Sequence, residues 1–359
     1  MHPYSNLPAQ HFWRTFVSET PWRELPLGGE AKFHLQGDTK IATAGSCFAQ
    51  HIARYLAQAG RSTYIAEQPH PLSAEFGGET DSYKLFSARY GNVYTARQCL
   101  ELLQQAMDWR PMIEDFTEQD GRIFDLLRPN AVPNGFTSHA EARADRVFHL
   151  ACVRKMFREA DVFVFTLGLT ESWYHAEEGH TYPVCPGTAR GTFGPGVHKF
   201  HNLTHAEVVA DLEVLLEGFK RVNPELKVIF TVSPVPLVAT HTQHNVLVAS
   251  SYSKSVLRAA CGEVEQRHGH VQYFPSFEIV GHTASFGQYL ASDLREVTER
   301  GVSHVMASFF STFYSEKPRS ENGATRGTSA DEGLAAPAEH TRTGVAEVEC
   351  EEMFNQLIR

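Results

Sequence analysis

Two patterns of hydrophobic and polar residues alternate along the chain. Short runs of consecutive apolar residues, rich in β-branched and aromatic side chains, are typical of strands buried on both faces of a parallel sheet. Longer segments between them repeat an apolar residue every three or four positions, which is typical of a helix with one buried face. The strand-like runs cover residues 40–45, 62–66, 161–168, 226–235 and 271–276, and the helical segments cover residues 47–60, 95–108, 138–160, 204–223, 251–269 and 297–314.

This alternation of strand and helix patterns predicts an α/β fold with a doubly wound, mostly parallel sheet. Local signals at the helix ends agree with that prediction. Thr204 and Glu207 have the spacing of a capping box at the start of one helical segment. Gly60 stands where the first helical segment stops, in a position that suits the left-handed backbone region.

Several segments lie outside the alternation. Residues 109–137 and 174–203 are rich in Pro, Gly and His, and we expect them to form long insertions above the sheet. Residues 315–343 are polar and poor in large apolar side chains, so their composition predicts a disordered linker. Residues 344–359 have the spacing of a short amphipathic helix, which we expect to dock on the body of the protein or on a protein partner. We therefore divide the chain into an N-terminal extension (1–37), a main domain (38–314) carrying the two insertions, the linker and the C-terminal helix.

Composition and charge narrow the class of protein. The 359 residues are 42% hydrophobic and 21% charged, as in an ordinary globular protein. The formal net charge of −10 argues against nucleic acid as the main partner. The six cysteines form no closely spaced pair, which predicts neither a disulfide framework nor a zinc site and indicates a reducing compartment, the cytoplasm. We expect no secretory signal and no membrane span, because no run approaches about 18 apolar residues.

The candidate chemistry lies at the ends of the predicted strands, where open parallel sheets bind their ligands. Gly45, Ser46 and Cys47 follow the first strand and precede the first helix. A thiol in the first turn of a helix is near unpaired backbone N–H groups and the positive end of the helix dipole, and both favour the thiolate. Gly45 allows a sharp turn and close approach of a substrate carbonyl to backbone donors. The pattern predicts a Cys or Ser nucleophile, although a small buried Cys at a strand–helix junction also fits it.

The stretch "GSCFA" at 45–49 is the motif that names the GSCFA family, and the chain resembles this family over residues 38–314. The family looks distantly similar to the SGNH (GDSL-type) hydrolases. That resemblance implies a flavodoxin-like three-layer α/β/α sandwich with a mostly parallel sheet. The other stretches that carry the resemblance are residues 86–98, 163–173, 231–240, 252–258 and 273–280.

The resemblance to SGNH enzymes assigns the nucleophile and its partners. Their Gly-Asp-Ser block falls on residues 45–47, so Cys47 stands at the nucleophile and Ser46 where the Asp would be. With Cys47 as the nucleophile, we expect the Ser46 hydroxyl to cap the first N–H groups of the helix. Their Asp-x-x-His block falls on Asp293 to Glu296, so Glu296 replaces the His. By the same resemblance Asp293 would orient a base; its residue type also suits a cap on the last helix.

Further blocks of the same resemblance supply oxyanion and substrate contacts. The Gly block falls on Gly91, with Asn92 beside it, and both join Gly45 as expected oxyanion or substrate-binding residues. The Gly-x-Asn-Asp block falls on residues 168–171. Thr170 therefore stands in place of the Asn as an oxyanion donor, and Glu171 stands in place of the Asp.

Because this His is missing, the sequence leaves several candidates for the general base. A Ser nucleophile needs an adjacent base, whereas a stabilised thiolate needs one less but still requires an acid for the leaving group. His244 or His241 is the best placed substitute, because both follow the end of a predicted strand. Each candidate also fits a solvent-facing loop residue. The competitors lie in the second insertion: His180, His198 and His201.

Taken together, these residues and the resemblance predict acyl transfer. We expect an esterase or an O-acyltransferase that acts on a carbohydrate or another small acceptor through a thioester on Cys47. No bound cofactor and no metal are expected; acyl-CoA is the co-substrate that a transferase would use. Trp173 and Phe193 suit either a substrate pocket or the core. The alternative is a binding or scaffolding protein that kept the SGNH-like sheet and lost its catalytic groups, because three of the four blocks are altered.

Overall fold

The computed structural model describes residues 2–69 and 81–314, and within them strands and helices alternate as predicted. The predicted linker and C-terminal helix (315–343 and 344–359) lie outside the described residues. The strands are β1 Ile41–Gly45, β2 Phe116–Gln119, β3 Arg122–Asp125, β4 Val162–Leu167, β5 Glu171–His175, β6 Thr181–Tyr182, β7 His198–Asn202, β8 Lys227–Val232 and β9 Val271–Phe274. The helices are α1 Phe48–Gln58, α2 Ala96–Ala106, α3 His139–Glu159, α4 His205–Val222, α5 Val246–Arg267, α6 Ser276–Gly281 and α7 Glu299–Phe313.

The central sheet is parallel and has the order β1-β4-β8-β9. The predicted strand at 62–66 is reduced to one parallel bridge, in which Thr63 pairs with Ile41 on the outer side of β1. It is short because the backbone N–H groups of Ala66 and Glu67 donate to Ser87 O instead of continuing along β1. The five parallel segments are, in chain order, β1, the Thr63 bridge, β4, β8 and β9. Numbered in this way, their order across the sheet is 2-1-3-4-5, which is the flavodoxin-like order and confirms the predicted fold class.

Helices cover both faces of this sheet and make three layers. Alternate side chains of a strand point to opposite faces. Ala42 and Phe163 therefore pack in the core formed with α2, α3, α4 and α5. Ile41 and Val162 pack in the opposite core with α1, α6 and α7. Because both faces are buried, every residue of β1 and β4 is buried, which explains the near-continuous apolar runs in the sequence.

The two predicted insertions carry small sheets of their own. Residues 109–137 contain the β2–β3 hairpin, which turns at Asp120 and Gly121 with φ of 53° and 71°. Residues 174–203 belong to a three-stranded antiparallel sheet in the order β6-β5-β7. Its middle strand, β5, begins at Glu171, four residues after β4 ends, so this second sheet rises directly from the carboxyl edge of the first.

The N-terminal extension packs along the β9 side of the domain. The Nζ of Lys32 donates to the carbonyl oxygens of His268 (3.2 Å) and Val271 (2.8 Å). Leu35 N donates to Phe313 O at 2.8 Å, which joins the extension to the end of α7. Across residues 2–69 and 81–314, no helix combines the length and the apolar character needed to cross a membrane.

Candidate active site

A tight strand-to-helix turn lies at the carboxyl end of β1. Gly45 has a φ of +142°, and a Cβ at this position would come within 2.4 Å of Thr166 O. A larger residue is therefore excluded both by its backbone conformation and by the neighbouring strand. Ser46 N donates to Thr166 O at 3.1 Å, which holds the turn against β4. The chain then enters α1 with Cys47 at the N-cap position.

The two candidate nucleophiles in this turn differ in exposure. Ser46 is 2% exposed, and its hydroxyl has no hydrogen-bond partner among the described residues. The expectation that this hydroxyl caps α1 is therefore wrong; the helix start carries no side-chain cap. Cys47 is partly exposed. Of the two side chains, the thiol is thus the one that a substrate reaches more readily.

Two other segments predicted to contribute to the site pack against this turn. Val93 N donates to Gly45 O at 2.8 Å, which joins the segment containing Gly91 and Asn92 to the end of β1. Gly91 has a φ of +67°. A Cβ on Gly168 would lie 3.2 Å from the Ser46 Cβ, so the loop after β4 packs directly against the turn.

Thr170 and Glu171 are held by neighbours that the sequence did not indicate. Thr170 is fully buried, and its hydroxyl donates to Asn202 Oδ1 at 2.7 Å. Its one donor is engaged there, so an oxyanion could receive this hydrogen bond only if Asn202 lost it. The Glu171 carboxylate accepts hydrogen bonds from the Thr240 hydroxyl (2.5 Å) and from His241 N (3.0 Å). These two hydrogen bonds hold the loop after β8 against the start of β5.

The candidate histidines lie on this loop and in the second insertion. His244 is exposed, and His241 is exposed with its ring 4.9 Å from the rings of Trp173 and Phe200. Phe193 also contacts Trp173 edge-on. The three competitors are each engaged within the insertion or beside it: His180 with Asp115 (3.1 Å), His198 with Gly194 N (3.0 Å) and His201 with Glu207 (2.7 Å).

The Asp293 to Glu296 block forms an exposed turn. Asp293 Oδ1 accepts hydrogen bonds from Arg295 N and Glu296 N, both at 3.0 Å. These backbone donors lower the pKa of Asp293. The expectation that Asp293 caps the last helix is wrong, because Thr298 accepts from Gly301 N and caps α7. Both carboxylates of the block, on Asp293 and Glu296, are exposed.

Lys254 is the residue of the site that the sequence analysis missed. It lies on α5, is 4% exposed and donates from Nζ to Gly168 O at 2.8 Å. Burial lowers its pKa to about 7; the nearby Cys47 opposes this shift, and Arg295 adds to it. Lys254 Nζ is therefore close enough to the Cys47 thiol for the two groups to interact electrostatically.

A signal for Lys254 was present in the residues 252–258. Lys254 falls at helical spacing between Ser250 and Leu257, both of which are buried on the same helix. A lysine on the buried face of a helix is unusual in a domain core. Its functional meaning depends on its neighbours across the fold, which the spacing alone does not identify.

The described residues offer few means of holding a cofactor or metal at this site. In the ranges 2–69 and 81–314, no group of three or more His, Cys, Asp or Glu side chains is arranged to bind a metal ion. None of the five cysteines in these ranges is in a disulfide.

Comparison with known proteins identifies the family. No curated protein matches the chain. A model of the GSCFA family matches residues 40–309, a segment that includes the Gly45 to Cys47 turn, Lys254 and the Asp293 to Glu296 block. The more distant similarity to SGNH hydrolases stays a prediction. Because the match covers most of the sequence and the turn after β1 has the geometry described above, the chain belongs to the GSCFA family.

Proposed function

We propose that the protein is an acyl-transfer enzyme that uses Cys47 as its nucleophile and Lys254 as the group that moves the proton. The acceptor would be water, for an esterase, or a hydroxyl of a carbohydrate or another small molecule, for an O-acyltransferase. One observation carries the proposal: a partly exposed thiol at the start of α1 lies within electrostatic range of a buried lysine whose pKa is about 7. Thiols activated by a neighbouring basic group are common nucleophiles in acyl transfer.

We assign to Lys254 the acid–base role that the missing His of the Asp-x-x-His block would have. A group with a pKa near 7 is present in both protonation states at neutral pH, as general acid–base catalysis requires. The neutral amine takes the proton of the Cys47 thiol while sulfur bonds to the acyl carbon. The ammonium then gives this proton to the departing group as its bond to the acyl carbon breaks. In the second half, the acceptor hydroxyl passes its proton to Lys254 and attacks the thioester. The thiolate leaves and takes this proton back from Lys254, which restores the thiol and the neutral amine.

The oxyanion of each step would form near backbone donors. The N–H groups of Ala49 and Gln50 already donate to Ser46 O (2.8 Å) and Cys47 O (3.1 Å). The proposed donor is therefore an N–H at the Cys47–Phe48 start of α1, which Gly45 brings against β4. Asn92, which directly follows the left-handed Gly91, remains in the proposed donor set. Thr170 leaves it, because Asn202 already accepts its hydrogen bond. We assign Thr170 to positioning the loop that follows β4.

The exposed Asp293, Glu296 and His244 favour the rival proposal of a binding or scaffolding protein. The Asp293 carboxylate is occupied by backbone N–H groups of its own turn, as expected for a structural turn residue. Under this proposal Cys47 and Lys254 would be structural neighbours without a reaction. We place either form of the protein in the cytoplasm, with support from the absence of disulfides among the described cysteines. Acyl-CoA stays the proposed donor for a transferase.

Alkylation kinetics separate the two proposals. We would treat the protein with iodoacetamide between pH 5.5 and 9 and follow each cysteine by mass spectrometry. Cys185 is the matched control, because it is also partly exposed and burial raises its pKa to about 11. We expect Cys47 to react at least ten times faster than Cys185 at pH 7, and Lys254→Met to remove most of the difference. Equal, slow labelling of both thiols would favour the scaffold.

Acyl-enzyme formation tests the reaction itself. A panel of activated acyl esters and acyl-CoA donors, followed by intact-mass spectrometry, should give an adduct on the wild type and on Ser46→Ala. Cys47→Ala should give none. An adduct that survives Cys47→Ala but disappears in Ser46→Ala would transfer the nucleophile to Ser46.

A further inference from the structure

A small cavity lies on the other side of the segment that packs against Gly45. Its volume is about 40 Å³, which is room for about three water molecules. Val93 lines it and also donates from its backbone to Gly45 O. The cavity is therefore separate from the Cys47 turn but shares a wall with it. Asn92, Glu101 and Leu127 are among its other lining residues.

Three buried nitrogen atoms around this cavity have no partner among the described residues. They are Nη1 of Arg128, Nε of Arg146 and Nε2 of His149. The three residues line the cavity and are 3%, 2% and 0% exposed. Buried polar groups of this kind are rarely left unsatisfied, because each unmade hydrogen bond costs free energy. The cavity is thus built to hold an occupant that hydrogen-bonds to them.

The remaining atoms of these side chains are already fixed. Arg128 donates from Nε to Asp125 and from Nη2 to Asp145, both at 2.8 Å. Arg146 donates to Gln105 Oε1 at 3.0 Å, and the Nδ1 of His149 lies 2.6 Å from Glu67. An occupant would therefore meet a preformed arrangement and would not have to order these side chains.

The charges around the cavity balance before an occupant enters. His149 is neutral at pH 7, because burial lowers its pKa to about 4. An entering anion would leave an uncompensated buried charge unless a proton came with it. The balanced groups are three arginines, Arg89, Arg128 and Arg146, and three carboxylates, Glu67, Asp125 and Asp145.

We propose that this cavity binds a small carboxylate, of the size of formate or acetate, together with one proton that His149 takes up. The carboxylate oxygens accept from Arg128 Nη1, Arg146 Nε and the newly protonated His149 Nε2. Glu67 remains hydrogen-bonded to Nδ1 of His149, so the added proton binds to Nε2. Two guanidinium groups and an imidazolium suit a carboxylate, which accepts hydrogen bonds on both oxygens. This proposal does not rest on the proposed acyl transfer, although Asn92 belongs to both sites.

The groups that face His149 set the expected pH dependence. Arg128 and Arg146 oppose its protonation, and Glu67 favours it. The Tyr90 ring lies 6.2 Å away, edge-on, and Glu101, whose pKa burial raises, also lines the cavity. A bound carboxylate adds negative charge and favours the imidazolium. Since one proton enters with each ligand, the affinity should fall about tenfold for each pH unit above pH 5.

Calorimetry and thermal melts with sodium acetate test this proposal on the full chain. Titrations at constant ionic strength at pH 5.5, 6.5 and 7.5 should show saturable binding that weakens about tenfold per unit. Repeating the pH 6.5 titration in two buffers with different ionisation heats should give an uptake of about one proton. Pivalate, which is too large for the cavity, should not bind. No saturable response at any pH, or an affinity independent of pH, would mean that water fills the cavity.

Two variants locate the binding. His149→Gln keeps a polar side chain but cannot titrate, so acetate should bind at least ten times more weakly at pH 5.5 and without pH dependence. Leu127→Phe, which adds volume at the cavity wall, should abolish binding and keeps the proposal testable if His149→Gln does not fold. Arg97→Gln is the control, because it removes an arginine that pairs with Asp211 outside the cavity. Unchanged acetate affinity in both test variants would overturn the site.

Discussion

Two buried cations, Lys254 and Arg128, lie in different surroundings, and their pKa values shift in opposite directions. Lys254 lies beside a carbonyl and a thiol, with no carboxylate partner among the described residues, and its pKa falls to about 7. Arg128 is equally buried but lies between Asp125 and Asp145, and these charges raise its pKa. A buried cation without an opposite charge exchanges its proton near neutral pH, whereas a paired one stays charged. The first arrangement suits catalysis, and the second suits a fixed framework.

Lys254→Met should have the largest effect, and it should separate activity from stability. Loss of a general acid–base group lowers the rate of acyl transfer by roughly 10²- to 10⁴-fold. The free energy of unfolding at pH 7 should rise by on the order of 1 kcal/mol, because a desolvated lysine is removed. In the wild type the unfolded lysine binds more protons between pH 7 and 10.5, so stability rises with pH across this window. The variant should lose that slope.

Denaturant unfolding at pH 7 and pH 9 measures both effects alongside the rate. A Lys254→Met protein that is much less stable than the wild type, at unchanged activity, would make Lys254 structural. Such a result would remove the contrast with Arg128.

Arg128→Met should destabilise the protein strongly. It leaves the buried Asp125 and the partly exposed Asp145 with fewer compensating charges, and breaking a buried pair typically costs about 3–5 kcal/mol. Arg97→Met is the control, because Arg97 is partly exposed and its pair with Asp211 should contribute about 1 kcal/mol or less. Chemical denaturation of both variants at pH 7 gives the comparison. Equal losses would show that the buried cluster contributes no more than a surface ion pair.

Acid should weaken the cluster through His149. Its folded pKa of about 4 lies below the unfolded value of 6.5, so the unfolded chain binds the proton first. Stability is therefore lost as the pH falls from 6.5 towards 4, by at most about 3 kcal/mol from this group. His149→Gln should flatten this part of the profile, measured by urea unfolding in an acetate-free buffer. If His149→Gln shows the same pH dependence of stability as the wild type, other groups cause the acid sensitivity.

Thr170→Val should affect stability more than catalysis. It removes the hydrogen bond to Asn202 while nearly keeping the shape, which should cost about 1 kcal/mol. The rate with an acyl donor should fall by less than tenfold. A loss of about 100-fold, as for removal of an oxyanion donor, would return Thr170 to the oxyanion site.

Ser46→Ala should have the smallest effect. The hydroxyl makes no hydrogen bond to the described residues, so its removal should change the free energy of unfolding by less than about 0.5 kcal/mol. The acyl adduct on Cys47 should persist. A larger destabilisation would reveal an ordered water bound to this hydroxyl.

The turn at Gly45 is a part of the site whose backbone shape the sequence predicted. The local pattern of strand, glycine and helix predicted a sharp turn, and the φ of +142° at Gly45 is the backbone conformation that such a turn needs. By contrast, the role of Thr170 could not be predicted, because its hydroxyl partner Asn202 lies 32 residues further along the chain. The caps expected from Ser46 and Asp293 were wrong for a related reason: neighbouring groups, Cys47 and Thr298, occupy the N-cap positions.

The sequence by itself determined the strands of the central sheet and the helices that cover it, because burial on both sheet faces leaves continuous apolar runs that local composition records. It also determined the capping box of Thr204 and Glu207, which forms as predicted since both residues lie in one helical turn. Only the tertiary structure decided which charged groups lose water. Lys254 has a lowered pKa because the fold buries it against Gly168, which is far away in sequence, and this desolvation cannot be read from neighbouring residues in the chain.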